Sequence, residues 1–144
     1  MTLYLDTSAL VKLYAEEPGS DEVRQAVARA DLVATSLVAY VETRSAFARK
    51  HRFAQIDDSA LARYKRDFER DWDGFNRLPA DAATIHRAGD IAEQYRLRAY
   101  DALHLATADL LRAAIRSAVS FACFDDALGD AAERLGFTLI ETSE

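Results

Sequence analysis

A chain of 144 residues, 50% of them hydrophobic, is long enough for one globular domain over residues 1–144 with a full core, and too short for two ordinary ones. The single Cys123 excludes an internal disulfide and no Cys/His cluster offers a zinc site, so packing must supply the stability and a reducing compartment fits. A formal charge of -6 argues against polyanion binding through bulk positive charge, yet Arg44, Arg49, Lys50 and Arg52 crowd together while the stretch from Asp125 to Glu144 is strongly acidic.

Elements alternate along the chain. Thr2 to Leu5 reads as a strand ending at Asp6, and Thr7 or Ser8 caps a helix to about Glu17, stopped by Pro18-Gly19. Ser20 starts a second helix to Ala30. Leu32 to Thr35 is a short strand, after which Ser36 caps a helix to Arg52. From Asp57 to Asn76 a charged helix carries Leu61, Tyr64, Phe68 and Trp72 as one apolar stripe, which makes Trp72 a packing residue rather than a base-stacking platform.

Beyond Leu78-Pro79, Asp81 to Arg98 is helical with Ile85, Ala88, Ile91, Ala92 and Tyr95 facing inward. Tyr100 to Ile115 is the most apolar helix and therefore central, with Asp109, Arg112 and Arg116 marking its wet face. A strand from Val119 to Phe124, a helix from Ala127 to Leu135 ended by Gly136, and a last strand Phe137 to Ile140 follow. Such alternation predicts an α/β fold: a mainly parallel sheet of four to five short strands flanked by helices. No apolar run approaches the roughly 20 residues that span a bilayer, and no basic leader precedes an apolar stretch. The expectation is a cytoplasmic protein without a membrane partner.

Two of the strands run directly into acids, Asp6 and Asp125. In an open parallel sheet, residues just past the strand ends line the ligand crevice, so acids distant in sequence can meet there. Glu42, at the edge of a buried helix face, and Asp101, in the first turn of an apolar helix, are further candidates. Each has a structural reading of its own. Asp6 can cap a helix, Glu42 can be an interface residue, and Asp101 is favoured by the helix dipole. Of the adjacent Asp125 and Asp126, one can cap while the other faces the crevice, and the spacing does not choose between them. Together, four converging carboxylates would repel one another unless a cation neutralised them, and an oxygen-ligated divalent metal is the natural solution.

The set matches a known pattern. LYLDTSALVKLY, the Ser36 to Ala46 stretch with Glu42, YDALHLATA around Asp101, and FACFDDALGDAAERLGF with Asp125 together resemble the PIN domain, with the VapC toxins of bacterial toxin-antitoxin pairs as the nearest likeness. The resemblance covers nearly the whole chain. It implies a metal-dependent ribonuclease in which Asp6, Glu42, Asp101 and Asp125 form the acidic cluster, with Ser8, Thr7 and Asp126 in support. Mg2+ would be the cofactor, with Mn2+ able to substitute on the same ligand grounds. The resemblance further implies RNA as substrate, a VapB-type antitoxin as partner, a homodimer, and exposed helical surface for the antitoxin at Leu10, Leu13, Tyr14 and the helix after Ser36.

Competing chemistry is thin. His51, His86 and His104 show no metal-ligand pairing; His104, three residues after Asp101, can touch the crevice but reads as a satisfied structural histidine. Cys123 reads as a small buried apolar residue. A haloacid-dehalogenase-like phosphatase would place a second acid where Ser8 stands. A PIN-type RNA-processing nuclease that is not a toxin, or a catalytically silent RNA- or protein-binding scaffold, remains the alternative.

Overall fold

The computed structural model describes residues 1–142. Its strands are β1 (Thr2–Leu5), β2 (Leu32–Ser36), β3 (Asn76–Leu78), β4 (Val119–Ala122) and β5 (Thr138–Leu139). The helices are α1 (Thr7–Lys12), α2 (Ser20–Arg29), α3 (Ala39–Arg52), α4 (Asp58–Trp72), α5 (Ala82–Tyr95), α6 (Ala99–Ile115) and α7 (Asp126–Arg134). All five strands pair in parallel in the order β3-β2-β1-β4-β5. The chain winds outward from β1 to β3, then returns to place β4 on the other side of β1. That reversal opens a crevice beyond the carboxyl ends of β1 and β4.

Strand alternation divides the interior. Leu3 and Leu5 point to one face, where Phe47, Phe68 and Trp72 from α3 and α4 pack; Tyr4 points to the other, against α6 and Phe121. The stripe anticipated on α4 is real, with Phe68 fully buried and Trp72 nearly so. Because β1 is covered on both faces, its side chains form a continuous apolar run, and Asp6 is the first polar residue after it.

Several expectations shift. The first helix stops at Lys12 rather than near Glu17, because the chain turns before reaching Gly19 (φ +96°). A Cβ at Gly19 would meet the Phe124 ring at 2.5 Å, so this position requires glycine on two grounds. The α4 helix ends at Trp72, and Asn76–Leu78 forms an edge strand whose sequence carries no β signature. Ser36 accepts from the Val38 amide at 3.2 Å, but α3 begins only at Ala39. Leu10, expected on an exposed surface, is fully buried, whereas Ile85, expected inside, is exposed on α5. Both sit on amphipathic helices where a turn of the helix axis decides which apolar residue faces in.

Candidate active site

Asp6 follows β1 and is buried, with only 4% of its surface exposed. Its Oδ1 accepts from the Ala9 amide at 2.9 Å, capping α1, and from the Ser8 hydroxyl at 2.7 Å. Burial pushes its carboxyl pKa up, and the Asp101 charge adds to that, against the opposing pull of His104 and the two hydrogen bonds. Asp125 does the equivalent work after β4: its Oδ2 accepts from the Leu128 amide at 2.9 Å and caps α7. The cap and the cleft-facing acid are thus the same residue. Asp126 is the first residue of α7 and faces a neighbouring depression with Asp130 and Glu133.

Asp6, Thr7, Ser8, Glu42, Asp101 and Asp125 line one open cleft of about 540 Å³, together with Arg49, Arg98 and His104. Glu42 comes from the first turn of α3 and Asp101 from the first turn of α6, so the acids arrive from four separate parts of the chain. Glu42 Oε1 accepts from the Thr7 hydroxyl at 2.7 Å and lies 2.9 Å from His104 Nε2. Burial alone would raise the Glu42 pKa, but the His104 and Thr7 interactions outweigh it and hold the carboxyl below its ordinary value. Arg98, the residue before α6, lies 2.9 Å from Asp101 Oδ2 and 3.6 Å from Asp125 Oδ1, and these carboxylates raise its own pKa.

Of the basic residues that crowd α3, only Arg49 lines the cleft. Arg44 is engaged by Tyr40 and Glu69, Lys50 by Glu17, and Arg52 lies over the Phe53 ring. Arg49 makes no ion pair among the described residues. His104 is both the satisfied buried histidine expected and a cleft residue, since its ring spans from Tyr4 in the core to Glu42. The signal for this in the sequence was its spacing from Asp101, one turn away on the same helix. Burial raises the pKa of the half-buried Cys123 thiol, which removes it as a nucleophile at neutral pH.

The donor set suits a hard cation, since it consists of carboxylate and hydroxyl oxygens around a buried Asp6. Among the described residues, however, no three His, Cys, Asp or Glu side chains are drawn together closely enough to hold a metal ion. Two of the acids are instead satisfied by Arg98, and a third by His104 and Thr7.

Residues 3–134 match the PIN domain family. The chain belongs to that family. Within it the chain is of the VapC type: it is 36% identical over 106 residues to Ribonuclease VapC45 of Mycobacterium tuberculosis (strain CDC 1551 / Oshkosh), covering 74% of each protein. It is 32% identical over 142 residues to Ribonuclease VapC46 of Mycobacterium tuberculosis (strain ATCC 25618 / H37Rv), covering 98% of each. Solved structures share the fold at lower identity. FitAcB from Neisseria gonorrhoeae superposes with a TM-score of 0.71 at 17% identity over 97% of both chains. VapBC2 from Rickettsia felis, bound to a fragment of its promoter DNA, gives 0.63 at 14% identity over 100% of both. Among the described residues of this VapC-type PIN domain, no helix is long and apolar enough to cross a membrane.

Proposed function

We propose that this VapC-type ribonuclease hydrolyses RNA phosphodiester bonds with a divalent cation held in the cleft, and acts as the toxin of a toxin-antitoxin pair that inhibits translation. The observation that carries the reading is the arrival of Asp6, Glu42, Asp101 and Asp125 in one cleft at the crevice between β1 and β4. Asp6 and Asp101 would hold Mg2+ most directly, with Glu42 and Asp125 completing its surroundings through water; Mn2+ suits the same donors. When bound, the cation would supply a water of lowered pKa and stabilise charge at the phosphorus in the transition state.

The chain's own residues do the rest. Ser8 and the Ala9 amide fix the orientation of Asp6, and Thr7 and His104 fix that of Glu42. Glu42, held ionised, can accept a proton from an attacking water through its second oxygen. Arg49 offers the substrate a cation at the cleft wall, and Arg98 becomes available to a phosphate once Asp101 is otherwise neutralised.

We further propose a VapB-type antitoxin as partner and a homodimer in solution. Relatives of the fold have been solved as toxin-antitoxin complexes, including one from Klebsiella pneumoniae, and an acidic cleft is suited to a basic side chain from a partner tail. The deciding experiment incubates the purified chain with an RNA oligomer and Mg2+, with EDTA, and as the Asp6→Asn variant. Cleavage should require the metal and collapse in the variant; cleavage that survives EDTA or the substitution would overturn the proposed site. Light scattering tests the dimer, and a monomer at all concentrations would remove it.

A further inference from the structure

His104 is a core residue by exposure, at 2%, yet its ring is bonded at both nitrogens and one of them serves the cleft. Nδ1 lies 2.8 Å from the Tyr4 hydroxyl, and Nε2 lies 2.9 Å from Glu42 Oε1 and 3.1 Å from Thr7 Oγ1. A carboxylate only accepts, so Nε2 carries a proton; in the neutral ring Nδ1 is then left to accept from Tyr4. Tyr4 itself cannot shift. It is fully buried on the central strand, stacks on Phe121 at 5.4 Å and 8°, and meets the His104 ring edge-on at 5.9 Å. A rigid line therefore runs from β1 through α6 to Glu42 on α3, without using any charge from solvent.

Both bonds on Glu42 fall on Oε1, from Thr7 and from His104. Oε2 has no hydrogen-bond partner among the described residues and Glu42 lines the cleft, so where Nε2 stands governs how the free oxygen is held there. We propose that His104 is a positioning residue for the nuclease reaction: its Nε2–H pins Oε1 of Glu42 and thereby presents Oε2 to the water and cation of the site. This rests on the nuclease reading above. A purely structural histidine would end its bonds in the core, and here the Nε2 bonds end on the two cleft residues Thr7 and Glu42.

The test uses the full chain and three variants. His104→Gln keeps an amide N–H near the position of Nε2; His104→Asn places it nearer Nδ1, short of Glu42. Tyr4→Phe leaves Nε2 in place but frees the other side of the ring. Mn2+ affinity is measured by calorimetry without RNA, kcat and KM on an RNA oligomer with Mg2+, and thermal midpoints alongside. His104→Asn should lower kcat and weaken Mn2+ binding about 10- to 100-fold, the range for residues that orient a metal-binding group, with KM changed less than about twofold. His104→Gln should restore most of both.

Equal losses in the Asn and Gln variants, tracking their thermal midpoints, would overturn the proposal, as would unchanged Mn2+ affinity in His104→Asn. Should His104→Asn not fold, a double-mutant cycle decides: Tyr4→Phe should weaken Mn2+ binding a few-fold in the wild type and not at all in a Glu42→Gln background. An equal effect in both backgrounds sinks the idea. Failure of the nuclease reading looks different, because Glu42→Gln would then itself leave cleavage and Mn2+ affinity intact.

Discussion

Asp6 and Glu42 are each fixed by two short hydrogen bonds from donors on rigid elements, whereas Asp101 and Asp125 share one charged donor on a long exposed side chain. Hydroxyls, an amide and an imidazole hold the first pair. Arg98, with 78% of its side chain exposed, holds the second, and Asp125 is 40% exposed beside it. Donors held in place by the fold orient these carboxylates before any cation arrives, so that half of the cleft is prepared for one. An arginine cancels the charge, so the other half must release it first. The difference separates a preorganised half of the site from an exchangeable one.

Removing the preorganised half should have the largest effect. Asp6→Asn is expected to lower kcat for RNA cleavage by about 10²–10³-fold, the scale for losing one prepared electrostatic contact, while circular dichroism shows an unchanged fold. Arg49→Ala should come next: a several-fold rise in KM at constant kcat, with a shallower salt dependence by about one phosphate contact, read from activity across ionic strength. Arg98→Ala tests the exchangeable half and should tighten Mn2+ binding without RNA by roughly two- to fivefold, the modest effect of removing an exposed competing ion pair. Weaker Mn2+ binding in that variant would place Arg98 among the supports of the site rather than its competitors.

The smallest effects are on stability and run in opposite directions for the two preorganised acids. Burial raises the folded-state pKa of Asp6, so its contribution to stability is full below the unfolded value of about 4 and is lost as pH rises through the folded value. Above that value the buried carboxylate costs stability. Asp6→Asn, which can still cap α1, should therefore raise the thermal midpoint of the metal-free protein, by about 2–6 °C per kcal/mol recovered, and the gain should fade in acid. Glu42 is held below its ordinary value, so its contribution is present above the unfolded pKa and lost as pH falls through the folded one. Glu42→Gln should accordingly lower the midpoint near neutrality, and that loss should also fade in acid. Thermal melts across pH check both signs.

What was legible in the chain follows from local physics. The apolar run Leu3-Tyr4-Leu5 ending at Asp6 could only be a covered strand, and Leu61, Tyr64, Phe68 and Trp72 could only share one helix face. Asp101 in the first turn of an apolar helix was equally readable. Asn76–Leu78 was not, because a three-residue edge strand is chosen by its neighbour β2 rather than by its own composition. The basic crowd on α3 looked like one patch, yet helix rotation sends Arg44 to Glu69, Lys50 to Glu17 and only Arg49 to the cleft.

By itself, then, the sequence determined the succession of strands and helices apart from β3 and the positions of the acids at their ends, since periodicity and capping act over a few residues. Which oxygen meets which donor was decided only by the tertiary structure: that Asp125 both caps α7 and faces the cleft, that Arg98 bridges it to Asp101, and that His104 joins Tyr4 to Glu42. Those pairings depend on sheet register and helix rotation at ångström scale, and hydrogen bonds are lost over less than one residue's displacement.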